Sequence, residues 1–153
     1  MNTAYRVWDG EQMYYWNDEG MSLTIKNNGD WTLKRLYTDV LVPVVDSTNR
    51  NAALMWGTGL KDKNGRVVYK GDNFTAKHKS GKVYRGQVKH DLSFVFDIES
   101  FEELFINGVG EHKRNRKFDI HSFIQWFNET EIVGDVFQNP ELLEGRSDEL
   151  SSV

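Results

Sequence analysis

The chain has 153 residues and a formal net charge of −4, a size for one domain or two intimate subdomains that bury roughly 70% of the unfolded surface. It has no cysteine, which excludes a disulfide framework, a thiolate nucleophile and cysteine-ligated zinc. The first ten residues lack the apolar core of a secretory signal, and no apolar run approaches the roughly 20 residues of a membrane helix, so a soluble cytoplasmic protein with no membrane partner is expected.

Turn chemistry organises the first half. Residues 5–8 and 13–16 are rich in aromatic and β-branched side chains and flank Asp9-Gly10-Glu11-Gln12, which predicts a hairpin. Residues 23–26 and 31–34 alternate apolar and polar around Asn27-Asn28-Gly29-Asp30, a second hairpin whose turn residues tolerate positive φ. Pro43 cannot donate to a ladder, so residues 40–45 form an edge strand or an irregular crossing. The polar stretch 47–53 is the expected seam between an N-terminal β subdomain, 1–53, and a second subdomain, 54–143.

Strands resume at 56–60 and 66–69 around Lys61-Asp62-Lys63-Asn64-Gly65, and continue at 74–79, 82–90 and 92–98. Short strands at this spacing predict a small SH3-like or barrel-like unit, built from residues 57–98 and 131–137. Two short helices interrupt it. Ser100-Phe101-Glu102-Glu103 matches a capping box and predicts a helix over 100–107, ending near Gly108. Asp119 caps a second over 120–127, where Ile120, Phe123, Ile124 and Phe127 recur at helical spacing. Residues 110–117 between them read as a polar loop, 131–137 as the last strand, and 144–153 as a flexible tail. The fold class is mainly β, a β-rich α+β protein.

Three blocks carry a family resemblance. Tyr5-Arg6-Val7-Trp8-Asp9, with Met13-Tyr14 after it, is similar to the opening "K-[FY]-R-x-W-D" and "M-x-Y" of the YopX-like family of phages and prophages. Leu54-Met55-Trp56-Gly57-Thr58-Gly59-Leu60-Lys61-Asp62-Lys63-Asn64-Gly65, followed by Tyr69-Lys70-Gly71-Asp72, resembles its central "L-M-Q-[YF]-T-G-L-K-D-K-N-G-K-x-I-Y-E-G-D-I". Ile132-Val133-Gly134-Asp135-Val136-Phe137-Gln138-Asn139-Pro140-Glu141-Leu142 resembles its closing "V-I-G-N-I-Y-E-N-P-E-L". Trp56-Gly57, Asn73 and Asp135 depart from the pattern, and residues 99–131 have no counterpart in it. The resemblance implies a small, mostly β protein with a barrel-like C-terminal part, acting in a bacterial host of a phage or prophage. It implies no activity, substrate or catalytic residue. The motif positions Gly59, Gly65, Gly71, Asp72, Gly134, Asn139 and Pro140 are mostly turn formers.

The familiar catalytic constellations are absent from the sequence. His78, His90, His112 and His121 have no metal-ligand spacing. Asp62-Lys63-Asn64-Gly65 imitates the start of a calcium loop, but Arg66 and Asn73 stand where ligands belong. Neither a P-loop, a Gly-x-Ser-x-Gly elbow nor a dinucleotide fingerprint occurs. Glu102/Glu103 and Glu129/Glu131 are carboxylate pairs of the kind a hydrolase with a dispersed site uses, although adjacent glutamates also suit a helix start. No cofactor and no metal are expected, and a non-enzymatic binding or accessory protein is the first reading.

Charge supplies the sharper alternative. Residues 61–90 carry nine Lys/Arg against two Asp, a net +7, while residues 91–153 carry five against fourteen Asp/Glu, a net −9. These halves either attract a polyanion or neutralise each other within or between subunits, which makes a homo-oligomer, a nucleic acid or a host protein the candidate partners. The nucleic-acid candidates are Lys77, Lys79, Lys82, Tyr84, Arg85 and Lys89, cations that follow phosphates interleaved with a ring that stacks on bases. A solvated lysine face that protects an edge strand has the same pattern.

Overall fold

A computed structural model describes residues 4–104 and 111–139. The chain divides between Gly59 and Leu60 into two compact units.

In the first unit, β1 (Tyr5–Trp8) pairs antiparallel with β2 (Met13–Tyr15) on one side. On its other side lies β6 (Ala53–Lys61), which starts at the last residue of the polar stretch 47–53. The Asp9 carboxylate closes the first turn by accepting the N–H groups of Glu11 and Gln12 at 2.8 and 2.7 Å, a local bond that competes well with solvent. A separate antiparallel sheet has the order β3 (Met21–Ile25), β4 (Trp31–Tyr37), β5 (Val40–Asp46). Thr38 and Asp39 join β4 to β5 with φ of 46° and 68°, the mirror-image turn that matches strand twist. β5 is an edge strand as expected, and a register shift on β4 between Leu33 and Lys34 faces the region of Pro43.

In the second unit, β7 (Val67–Tyr69) is followed by β8 (Asp72–His78), β9 (Val83–Asp91), β10 (Ser93–Leu104), β11 (Glu111–Phe118), α1 (Ile120–Trp126) and β12 (Phe127–Asp135). Five of these strands form one antiparallel sheet, ordered β11-β10-β9-β8-β12. Its shape is a half-barrel whose edge strands are β11 and β12. The mainly β expectation holds, but β6 and β7 belong to a different sheet, and an SH3-like closure is not seen among the described residues.

One face of the five-stranded sheet carries the core: Phe74, Ala76, Tyr84, Val88, Phe96, Ile98, Phe101 and Phe118, with Phe123 and Phe127 from α1 and the start of β12. Phe123 stacks on Phe96 at 4.2 Å and on Phe127 at 4.9 Å, and meets Phe74 edge-on at 5.5 Å. Such ring pairs add about 0.5–1.5 kcal/mol each beyond their burial. Gly86 on β9 leaves the room this packing needs, because a Cβ there would lie 2.5 Å from Phe74 Cζ.

The expected second helix is present as α1, capped by Asp119, whose carboxylate accepts the Ser122 N–H at 2.7 Å. The expected first helix is not. Residues 101–104 continue β10 and pair with β11, Phe101 opposite Arg114 and Glu102 opposite Lys113. Phe94, Phe96 and Ile98 alternate along β10, and one extra residue between Ile98 and Phe101 brings Phe101 back onto their face. Ser100 takes the left-handed conformation at this bulge, φ 53°, and its N–H donates to Asn115 Oδ1 at 3.1 Å. Burying Phe101 outweighs the local capping signal. Residues 105–107 and Gly108 lie outside the described residues.

The expected loop at 110–117 is likewise a strand over most of its length. β11 is polar because it is an edge strand: Lys113, Arg114, Asn115, Arg116 and Lys117 are exposed and only Phe118 is buried. The last strand begins earlier than expected, at Phe127, directly after the helix, and ends at Asp135. The tail at 144–153, and the family motif from Pro140 onward, lie outside the described residues.

The central motif is a set of clasps. Asp62 Oδ1 accepts the N–H groups of Asn64 and Arg66 at 3.0 and 2.9 Å, and its Oδ2 accepts the Ile132 N–H at 3.1 Å. Lys63 N–H donates to the Thr130 carbonyl at 2.8 Å, so the turn is tied to β12. Gly65, φ 81°, turns the chain where an L side chain is strained. Asp72 accepts the Tyr69 N–H, and Asp135 accepts those of Phe137 and Gln138. Of the motif residues, Asp62, Gly65, Asp72 and Asp135 serve backbone geometry.

Candidate functional site

The six residues expected to face nucleic acid do not share a surface. β8 and β9 pair with Ala76 opposite Tyr84 and Thr75 opposite Arg85. Period-two alternation therefore sends Tyr84 into the core and Lys77, Arg85 and Lys89 outward. Tyr84 is buried against Phe101 at 5.1 Å between ring centroids, so it is a core residue and not a stacking platform. Lys89 pairs with Asp97 at 2.9 Å. Lys82 pairs with Glu102, which Lys113 also approaches at 3.6 Å. Lys63 pairs with Glu131 at 2.7 Å. The basic segment and the acidic segment are thus stitched together inside one chain, and Glu102 and Glu131 of the carboxylate pairs are held in ion pairs.

Lys77 and Lys79 remain near the end of the β8–β9 hairpin, and beside them the structure makes a site of different composition. His78, Phe101, Arg116, Phe118 and Trp126 line a cleft of about 180 Å3. Each comes from a different element or end: His78 closes β8, Phe101 follows the bulge of β10, Arg116 and Phe118 lie two apart on β11, and Trp126 ends α1. The bulge is what delivers Phe101, and the same register keeps Arg116 on the core side of an otherwise solvated strand.

The rings in the cleft are ordered. Trp126, 45% exposed, lies parallel to His78 at 6.1 Å and an interplanar angle of 6°. Phe101 and Phe118 are buried edge-to-face at 5.4 Å. The Arg116 guanidinium lies over both, 5.5 Å from Phe101 and 5.0 Å from Phe118, and Lys79 Nζ stands 5.9 Å from the Trp126 ring centre. These distances fall within the range where a cation is drawn to the negative ring face.

His78 is fixed in one tautomer. Its Nδ1 accepts the Ser80 N–H at 3.1 Å and lies 2.9 Å from Ser80 Oγ, so the ring proton resides on Nε2. Burial among the rings, and then the charge of Lys79, hold the imidazole below its usual range and keep it neutral at pH 7. The polar side chains that line the cleft, Arg116 and His78 with its Nε2–H, are hydrogen-bond donors by type. Among the described residues no group of three or more His, Asp or Glu is placed to hold a metal ion, and no helix is long and apolar enough to cross a membrane.

Of the cleft, sequence reasoning named His78, as a histidine without metal-ligand spacing, and Phe101, as part of a capping box, and joined neither to a site. The missed signal was the run Lys113-Arg114-Asn115-Arg116-Lys117-Phe118: a cationic stretch that ends in an aromatic and follows an alternating Phe strand fits an edge strand better than a loop.

A model of the YopX protein family matches residues 4–144. The chain is 52% identical over 147 residues to the SPbeta prophage-derived uncharacterized protein YopX of Bacillus subtilis (strain 168), covering 95% of this chain and 98% of that protein. It is similar to the X-ray crystal structure of protein yopX from Bacillus subtilis, with a TM-score of 0.70 and 48% identity, over 93% of this chain and 98% of that one. The opening and central motifs described above fall inside the matched residues, and the match runs on through the closing one. The chain belongs to the YopX family.

Proposed function

We propose that this is a non-enzymatic binding protein of phage or prophage origin, acting in the bacterial cytoplasm, and that it binds single-stranded nucleic acid at the cleft. The reading stands on one arrangement: an exposed, ordered aromatic platform, Trp126 on His78, flanked by Lys79 and Arg116. Base stacking on such rings contributes about 1–3 kcal/mol per base, and nearby cations follow the backbone. A duplex hides its base faces, so the platform favours a single strand. The prophage setting is supported by the name of the Bacillus subtilis relative. The non-enzymatic part is supported by where the acidic groups are spent: Glu102 and Glu131 in ion pairs, and Asp62, Asp72 and Asp135 in turn bonds.

Fluorescence polarisation with labelled random single-stranded and duplex oligonucleotides tests this reading. The single strand is expected to bind at about 50 mM salt and to weaken as salt rises, with a slope of about 0.7 per phosphate contact. Trp126→Ala is expected to weaken binding by about 5- to 150-fold, the range that 1–3 kcal/mol implies. Arg116→Gln and Lys79→Gln are each expected to lower the slope. Arg85→Gln, on the opposite face of the sheet, is expected to leave affinity nearly unchanged. Absence of a polarisation change with any oligonucleotide at that salt, or equal losses from Arg85→Gln and Arg116→Gln, overturns the reading.

A further inference from the structure

We infer that Asn64, in the turn of the central motif, is a site of spontaneous modification to isoaspartate, and that the modification loosens the clasp between that turn and β12. In this reaction the Gly65 nitrogen attacks Asn64 Cγ. The side-chain nitrogen leaves as ammonia, carrying the Gly65 N–H proton, and a five-membered succinimide closes. Water then opens the ring at either carbonyl, giving aspartate or isoaspartate. A side chain on the following residue crowds the attack, which makes glycine after asparagine the reactive pair.

Asn28-Gly29 supplies the comparison, because its turn has the same main chain. Lys26 N–H donates to the Asp30 carbonyl at 2.7 Å and Gly29 N–H to the Lys26 carbonyl at 2.9 Å. Asp62 N–H donates to the Arg66 carbonyl at 2.8 Å and Gly65 N–H to the Asp62 carbonyl at 3.0 Å. Gly29 and Gly65 have φ of 91° and 81°, and at neither would a Cβ meet anything within 4 Å. The asparagine side chains differ. Asn28 Oδ1 accepts the Asp30 N–H at 3.0 Å, and its Nδ2 donates to Asp30 Oδ2 at 3.0 Å. The exposed Asn64 side-chain amide has no hydrogen-bond partner among the described residues. Asn28 must break two bonds before its Cγ turns onto the glycine nitrogen, and Asn64 breaks none.

The product changes the main chain where the motif is most tightly bonded. Isoaspartate carries the backbone through its side chain, which adds one methylene between residue 64 Cα and the Gly65 nitrogen. That insertion falls between the Asn64 and Arg66 N–H groups, both of which donate to Asp62 Oδ1, at 3.0 and 2.9 Å. The two donors then no longer converge on one oxygen. The same turn is tied to β12 by the Ile132 N–H on Asp62 Oδ2 and by the Lys63 N–H on the Thr130 carbonyl. Displacing Asp62 therefore weakens the attachment of the turn to the edge strand.

Ageing the full chain at mildly alkaline pH tests this. Chymotryptic peptides 24–31 and 61–69 are followed by mass spectrometry for the gain of about 1 Da that an acid in place of an amide brings. Asn64 is expected to convert about 10-fold faster than Asn28, the factor that about 1.4 kcal/mol of hydrogen bonding at Asn28 implies. Asp30→Ala, which frees the Asn28 amide, is expected to raise the Asn28 rate several-fold and to leave Asn64 unchanged. The clasp is tested in an Asn107→Gln background, which removes the Asn-Gly pair outside the described residues. There the deamidated fraction is expected to unfold at lower urea than the fresh chain. Asn64→Asp, the product without the extra methylene, is expected to stay near the fresh chain. No gain at Asn64 while the urea-unfolded chain converts overturns the site. Equal rates at Asn28 and Asn64 in the wild type overturn the role given to the Asp30 bonds. A deamidated fraction with an unchanged urea midpoint overturns the loosening of the clasp.

Discussion

Asp62 is a carboxylate whose whole environment consists of donors. Burial alone raises a carboxyl, but the N–H groups of Arg66, Ile132 and Asn64, with the Arg66 guanidinium, outweigh it and hold Asp62 below the usual carboxylate range. A carboxyl depressed by folding contributes stability that is complete above its unfolded value of about 3.9 and is lost as pH falls through the folded value. Asp62→Ala is expected to cost about 2–4 kcal/mol by urea denaturation at pH 7, since it strips three backbone donors of a charged acceptor. The difference from wild type is expected to shrink below about pH 4. His78 works in the opposite range. Its folded value is depressed, so the unfolded chain binds the proton more readily, and stability falls as pH drops through about 6.5. Protonation would also set an Nδ1 donor against the Ser80 N–H. The melting temperature is expected to decline between pH 7.5 and 5.5 in the wild type, and to decline less in His78→Phe.

At the scale of elements, β9 carries a close approach with no slack. A Cβ on Gly86 would lie 2.5 Å from Phe74 Cζ and 2.9 Å from the Asp97 carbonyl oxygen. The carbonyl belongs to the paired strand and cannot move without breaking the ladder, and Phe74 is locked between Phe96 and Phe123. Gly86→Ala is expected to destabilise the protein by about 1–3 kcal/mol in chemical denaturation, the usual cost of overpacking. What was legible in the sequence follows from how local each signal is. The Asn28-Gly29 and Asn64-Gly65 turns, the edge position of β5 and the Asp119 cap rest on contacts within a few residues, and each is present. The capping box at Ser100 is just as local, yet β10 runs through it, because a burial partner far along the chain decides where Phe101 goes. The cleft was illegible for the same reason. Its rings are 48 residues apart from His78 to Trp126, and only the bulge and the β11 register bring them to one rim.

At the scale of the whole chain, part of the apparent charge segregation is taken up in short ion pairs. Lys63, Lys82 and Lys89 from the basic stretch meet Glu131, Glu102 and Asp97 from the acidic one. Exposed pairs of this kind contribute little to stability individually, about 0–1 kcal/mol, so their main effect is to remove cations from the surface available to a polyanion. The two units differ more in their apolar content. The core cluster, from Val68 to Phe127, lies entirely in residues 60–139, with Leu60, Phe94, Ile120 and Ile132 packed against it. Among the described residues of the first unit only Ala4, Val7, Leu33 and Met55 are buried apolar side chains. A fragment of about 80 residues with one continuous aromatic core is near the size at which a single core suffices without a staple, whereas four buried apolar residues fall far short. Residues 60–139 expressed alone are therefore expected to unfold cooperatively in urea with dispersed amide resonances, and residues 1–59 alone to give neither. The cleft lies wholly in the larger fragment, so the same sample is expected to retain oligonucleotide binding within a few-fold of the intact chain. A broad, non-cooperative transition for 60–139 would overturn that expectation.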